Sequence, residues 1–170
     1  MANARAKLMV LGAALLLAGC SGGEEGGSKM GGGSGGPPAS GGEGAAPVAR
    51  IFSDPEMIAR GRQLYRANCA RCHGENAQGA FNWRRRGPDG KWPPPPLDGS
   101  GHTWHHPLAA LRHTIRNGTL TMGGSMPAWK DKLGDEEIDA IIAWFQSLWP
   151  DEIYRQWLAI DERARRRNAR

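Results

Sequence analysis

Cys69-Ala70-Arg71-Cys72-His73 is the stretch on which the reading of this chain turns. Two thiols three positions apart lie about one helical turn from each other, so both can form thioethers to the two vinyl groups of one porphyrin, the CxxCH pattern of c-type haem attachment. His73 follows directly, beside the bound ring, where it can supply the proximal axial nitrogen to iron. A redox dithiol would want a thioredoxin-like βαβ setting, and no segment around these residues alternates with the period of a strand. A structural zinc site would want a second CxxC or a paired histidine motif, and none follows at the usual spacing. The pattern implies one covalent haem c per chain.

Toward the N-terminus, Arg5 and Lys7 precede the apolar run Leu8 to Leu17. That run is too short to span a bilayer as a mature helix and suits the apolar region of a signal peptide. Leu17-Ala18-Gly19-Cys20 then resembles a bacterial lipobox, which implies cleavage before Cys20 and acylation of its thiol and new amino group. The three cysteines sort accordingly: Cys69 and Cys72 to haem, Cys20 to lipid, with none left for a disulfide. Several acyl chains, at about 0.8 kcal/mol per buried methylene, anchor stably where one is marginal. An uncleaved membrane helix would leave the domain on the same side. The expected location is therefore exported, lipid-anchored to a bacterial membrane, facing the periplasm or cell exterior. Loss of Arg5 and Lys7 lowers the formal charge of +5, and two haem propionates would lower it further. Only the distribution of charge carries meaning, and no nucleic-acid partner is expected.

Ser21 to Arg50 is dominated by Gly, Ser, Ala and Pro and is expected to be a disordered tether reaching roughly 30 Å. Ser53-Asp54-Pro55-Glu56 reads as a helix start, and a helix is expected from Pro55 to Cys72, with Gly61 letting another helix approach closely. Gly74 to Thr103 reads as a loop that packs on the porphyrin, with Trp83, Trp92 and Trp104 beside the ring. A short helix is expected over Pro107 to Asn117, then a stronger one from Asp135, with Ile138, Ile141, Ile142, Phe145 and Leu148 as its stripe, stopping at Pro150. A last helix should carry Ile153, Trp157 and Ile160 on one face and Arg163, Arg165, Arg166 and Arg167 at its end. The expected division is 1–19 lipoprotein signal peptide, 20–50 lipidated linker, 51–150 haem domain and 151–170 basic helical extension.

For the sixth iron position the candidates are Met126, Met122, His102, His105, His106 and His113. Met126 is preferred: it lies in a Gly-rich loop, Pro127 stiffens the backbone after it, and packing does not explain a Met there. His102, His105 and His106 are the main rivals, for iron or for a second metal such as copper or zinc, although rim or surface roles suit them better.

Gly61-x-x-Leu64-Tyr65, Cys69-Ala70-x-Cys72-His73-Gly74, Met126-Pro127-Ala128-Trp129 and the helix start Asp135-Glu136-Glu137-Ile138, in that order, resemble a class I c-type cytochrome of the monohaem, lipoprotein-anchored bacterial kind. The likeness runs from about Ser53 to Leu148. It implies an all-α fold in which the N- and C-terminal helices cross near Gly61 and an aromatic residue, Phe145 or Trp144. The Pro-rich loop Arg84 to Pro96, the segment His102 to His106 and the extension after Pro150 depart from the simplest members.

An iron held by His73 and Met126 has no free position and changes oxidation state with little rearrangement. That describes a one-electron carrier between membrane or periplasmic redox proteins, not an enzyme. The rivals are a haem enzyme or gas sensor with an open sixth position, and a fixed electron-entry subunit of a larger oxidoreductase. Arg84, Arg85, Arg86 and Lys91 either face an acidic docking partner or neutralise propionates.

Overall fold

The computed structural model describes residues 48–170, and among these the regular elements are helices only. The signal peptide, Cys20 and most of the linker lie outside the described residues. Helix α1, Pro55–Asn68, starts as its sequence dictates: Asp54 caps it by accepting the Glu56 N–H at 3.0 Å, and Pro55 occupies the first turn. The helix does not run on to Cys72. It breaks at Cys69 (φ −114°, ψ −33°), and a separate turn, α2 (Ala70–His73), follows. The break is a local tightening, because the Cys72 N–H bonds back to the Cys69 carbonyl three residues earlier.

Helix α4, Asp135–Ser147, opens on three acids that suit the positive end of its dipole. It crosses α1 at Gly61, where a β-carbon would stand 1.8 Å from the Ala140 carbonyl oxygen, so only glycine allows the approach. The aromatic at this crossing is Trp144, whose ring lies 4.1 Å from that of Tyr65. Leu148 departs from the expected stripe and is 40 % exposed, because the helix ends one residue before it. Trp149 enters the core instead, donating its indole N–H to the Leu97 carbonyl at 2.8 Å.

Helix α3 (Leu108–Asn117) buries Leu111 and Ile115 and is clamped to α4 by two Arg112–Asp139 hydrogen bonds of 2.6 Å. The segment from Gly74 to His102 has no regular structure, as expected, and is held by backbone bonds such as Leu97 N–H to Ala77 O at 2.7 Å.

Packed structure begins before Ser53, which corrects the expected end of the tether. Arg50 donates to the Gln146 and Trp149 carbonyls at 2.6 and 2.8 Å, pairs with Asp151 at 2.9 Å and lies 4.5 Å over the Tyr154 ring. Helix α5, Asp151–Asn168, is also more than an appendage. Its buried face is Tyr154, Trp157, Asp161 and Ala164: Trp157 is buried as expected, whereas Ile153 and Ile160 are only partly buried. The apolar pattern pointed beside the true centre of the face, where two aromatics and a carboxylate are fully buried and Ile153 packs at the edge of the core. Among the described residues no helix is long and apolar enough to cross a membrane.

Candidate functional site

The α1–α2 joint, α3 and the loop before α4 enclose one cavity of about 750 Å³, within the range of cofactor sites. Cys69, Cys72 and His73 line it from the joint, Leu111 and Ile115 from α3, and Met126 from the loop. The three residues of the CxxCH motif and Met126, far along the chain, therefore share one chamber. Its walls are mostly apolar, with Ile141, Phe145 and the prolines 93–95 among them.

His73 is held in the state a metal needs. Its Nδ1 lies 2.9 Å from the Pro95 carbonyl, which can only accept, so Nδ1 carries the proton and Nε2 keeps its lone pair. Burial lowers the His73 pKa against the opposing effect of that bond, favouring the neutral ring. A ligating histidine whose other nitrogen donates to a backbone carbonyl is the usual supported arrangement. Pro95, the supporting residue, was not singled out from the sequence; only the run of prolines marked its loop.

Burial, and after it the nearby Cys72, push the Cys69 thiol up to about 11. A dithiol enzyme needs the reverse, a thiol whose pKa is lowered. The redox-dithiol reading thus finds no electrostatic support here.

The Met126 backbone is tied on both sides to Thr119. Its N–H donates to the Thr119 hydroxyl at 3.1 Å, and its carbonyl accepts from the Thr119 N–H at 2.9 Å. Gly118 makes room for this pairing: its φ is +68°, and a β-carbon there would meet the Met126 carbonyl at 2.5 Å. The Asn117-Gly118 signal that ends α3 was legible, whereas its service to Met126 was not. Met122 also reaches the cavity, yet it is 66 % exposed.

The other candidates divide. His102 and His106 line the cavity; His105 packs edge-on against Trp104 at 3.8 Å, and His113 contacts Asn117 at 3.1 Å. Among the described residues no three His, Cys, Asp or Glu side chains are grouped to hold a metal ion. Trp83 and Trp92 border the cavity as expected, while Trp104 packs against the core instead. Of the four cations in the Pro-rich loop only Arg84 lines the chamber. Arg86 stands 4.7 Å over the Trp92 ring and donates to the Gly90 carbonyl at 2.6 Å. An apolar chamber with two thiols, an oriented imidazole and a thioether fits a covalently attached haem.

The comparisons with known proteins agree with that chemistry. The family model described as cytochrome C oxidase, cbb3-type, subunit III matches residues 56–145. The chain is 35 % identical over 96 residues to the cbb3-type cytochrome c oxidase subunit CcoP of Azospirillum sp. (strain B510), covering 56 % of this chain and 30 % of that protein. It is 34 % identical over 106 residues to the FixP subunit of Azorhizobium caulinodans, covering 62 % and 30 %. Similarity to cytochrome c6 of Cladophora glomerata is 33 % over 90 residues, covering 52 % of this chain and 85 % of that one. The chain thus spans less than a third of the oxidase subunits and most of cytochrome c6. No solved structure matches it.

Proposed function

The chain belongs to the family of the cbb3-type cytochrome c oxidase subunit III, a class I c-type cytochrome with covalent haem c, and from that premise we propose that it is a one-electron carrier with a closed His/Met iron. In this reading Cys69 and Cys72 hold the porphyrin through thioethers, and His73 and Met126 are the axial ligands. The bound haem supplies the ferrous/ferric couple. His73 keeps a fixed orientation through Pro95, Met126 through Thr119, and the apolar walls exclude water. The observation that carries the reading is the oriented His73 on the same cavity as both cysteines and Met126.

Export and a lipid at Cys20 complete the proposal, supported by the signal-like N-terminus and the Leu17 to Cys20 tetrapeptide. The redox partners are taken to present acidic docking faces to Arg85, Arg86 and Lys91. A second reading, a fixed electron-entry subunit, draws on the relatives named as oxidase subunits. Affinity purification from native membranes separates the two: a stoichiometric oxidoreductase favours the subunit, and its absence favours the mobile carrier.

The central test is spectroscopic. After extraction with acidified organic solvent one haem per chain should stay on the protein, and the ferrous form should not bind carbon monoxide. Release of the haem, or ready carbon monoxide binding, would sink the closed-carrier reading.

A further inference from the structure

The cavity wall at His102, Thr103 and His106 is braced from behind by α5, which lies beyond the residues matched by the family model. Trp157 is wholly buried and donates its indole N–H to the His106 carbonyl at 2.9 Å. One turn on, Asp161 is 2 % exposed and accepts the Leu108 N–H at 2.8 Å. Leu108 opens α3, and the capping position before it is Pro107, which has no side chain able to cap. A carboxylate from another helix therefore satisfies an orphan donor at the positive end of α3. A hydrogen bond to a charged acceptor is stronger than one between neutral groups, and a buried carboxylate left without its partners is costly. Arg165 lies 3.0 Å from its second oxygen.

These two contacts bracket the backbone from His106 to Leu108. The His106 side chain carries the constraint inward: its ring meets that of His102 edge-on at 5.5 Å, and His102 stacks on Trp83 at 5.3 Å. All three rings belong to cavity-lining residues. The charged and titratable groups around this row are His105 on its own segment, Arg84 on the Pro-rich loop, and Asp161 and Arg165 on α5.

We propose that α5 is a positioning element of the haem pocket, in which Trp157 and Asp161 hold the His106–His102–Trp83 row against the cofactor and so help set the potential of the iron. The proposal rests on the reading that the cavity holds haem c. The physical link is access of water and placement of polar groups, both of which tune a haem potential. If the row relaxes, water enters, the more highly charged ferric state is better solvated, and the potential falls.

The test compares four variants of the full, haem-loaded chain. Trp157→Phe keeps the ring and removes the N–H donor, Asp161→Ala removes the cap, and Asp161→Asn keeps an acceptor oxygen. Tyr154→Phe is the control: its hydroxyl accepts the Ile51 N–H at 2.7 Å, on the same helix but away from His106 to Leu108. Covalent haem content, the ferric-to-ferrous ratio at a fixed poise and the shifted haem-methyl resonances of the oxidised protein are read together. Trp157→Phe and Asp161→Ala should keep their haem, move the ratio several-fold toward ferric and redistribute the methyl resonances. Asp161→Asn should restore most of both, and Tyr154→Phe should leave both as in the unaltered protein. If Asp161→Ala does not fold, Trp157→Phe decides alone. An unmoved ratio with full haem overturns the proposal, as does an equal shift in Tyr154→Phe. An unaltered protein without covalent haem overturns instead the reading beneath it.

Discussion

Met126 has a long, flexible thioether, and what restrains it is backbone. Thr119 bonds both its N–H and its carbonyl, and Gly118 permits the approach. A ligand whose backbone is already fixed loses less freedom on binding iron, which favours a closed site. Met122, bonded to the Thr119 carbonyl through its own N–H at 3.0 Å, stands exposed on a single 3₁₀ turn. Met126→Ala is therefore expected to abolish the sulfur-to-iron band of the oxidised protein and to lower its potential, because thioether ligation favours the ferrous state. Met122→Ala should change neither. Optical spectra with potentiometry check both, and reversed results would transfer the ligand to Met122.

At the scale of elements, the α1–α4 crossing organises the molecule, and it depends on one missing β-carbon. With Ala140 O at 1.8 Å from the position of that atom, Gly61→Ala must part the two helices rather than bend a side chain. Tyr65 and Trp144, whose rings meet at a 41° tilt beside the crossing, would be pulled apart. The expected destabilisation is about 1–3 kcal/mol, typical of overpacking at a tight site. Denaturant unfolding of the haem-loaded protein measures it, and a loss below about 0.5 kcal/mol, the range of ordinary surface changes, would show that the crossing relaxes freely. The break at Cys69 belongs to the same scale. It separates the helix that packs on α4 from the short turn bearing Cys72 and His73, so each meets its own partner.

For the whole molecule, the cavity divides the basic loop into two roles. Arg84 lines the chamber, whereas Arg85, Arg86 and Lys91 point their charges elsewhere on the exposed surface. Exposed Trp92 and Met122, 44 % and 66 % accessible, add apolar surface at the cavity rim. Steering between exposed charges fades as the Debye length shrinks from about 10 Å at 0.1 M to 3 Å at 1 M salt. Electron transfer to an acidic partner should accordingly slow steeply with salt, and charge reversal at Arg85, Arg86 and Lys91 should flatten that slope without moving the potential. Reversal at Arg84 should instead shift the potential. Stopped-flow rates across ionic strength, with potentiometry, distinguish these outcomes; an unchanged salt slope would remove the docking face.

The sequence by itself determined the cofactor chemistry and the helical class, because CxxCH spacing and the stripe of Ile138, Ile141, Ile142 and Phe145 are local patterns that chemistry and helix geometry impose. The expected α1 start, α3 and the α4 start were legible for the same reason, and Gly61 announced a close approach. Tertiary structure alone decided the rest. Which aromatic meets Gly61, Trp144 or Phe145, depends on the rotation of α4, which a stripe buried on most of its face leaves open. That Pro95 orients His73, Thr119 pins Met126 and Asp161 caps α3 follows from contacts between residues far apart or outside any motif, fixed only once the chain has closed on its core. A buried acid on the last helix reads as surface in a sequence: its pairing with Arg165 one turn on is an ordinary pattern of exposed helices, and its second partner is a backbone N–H 53 residues away.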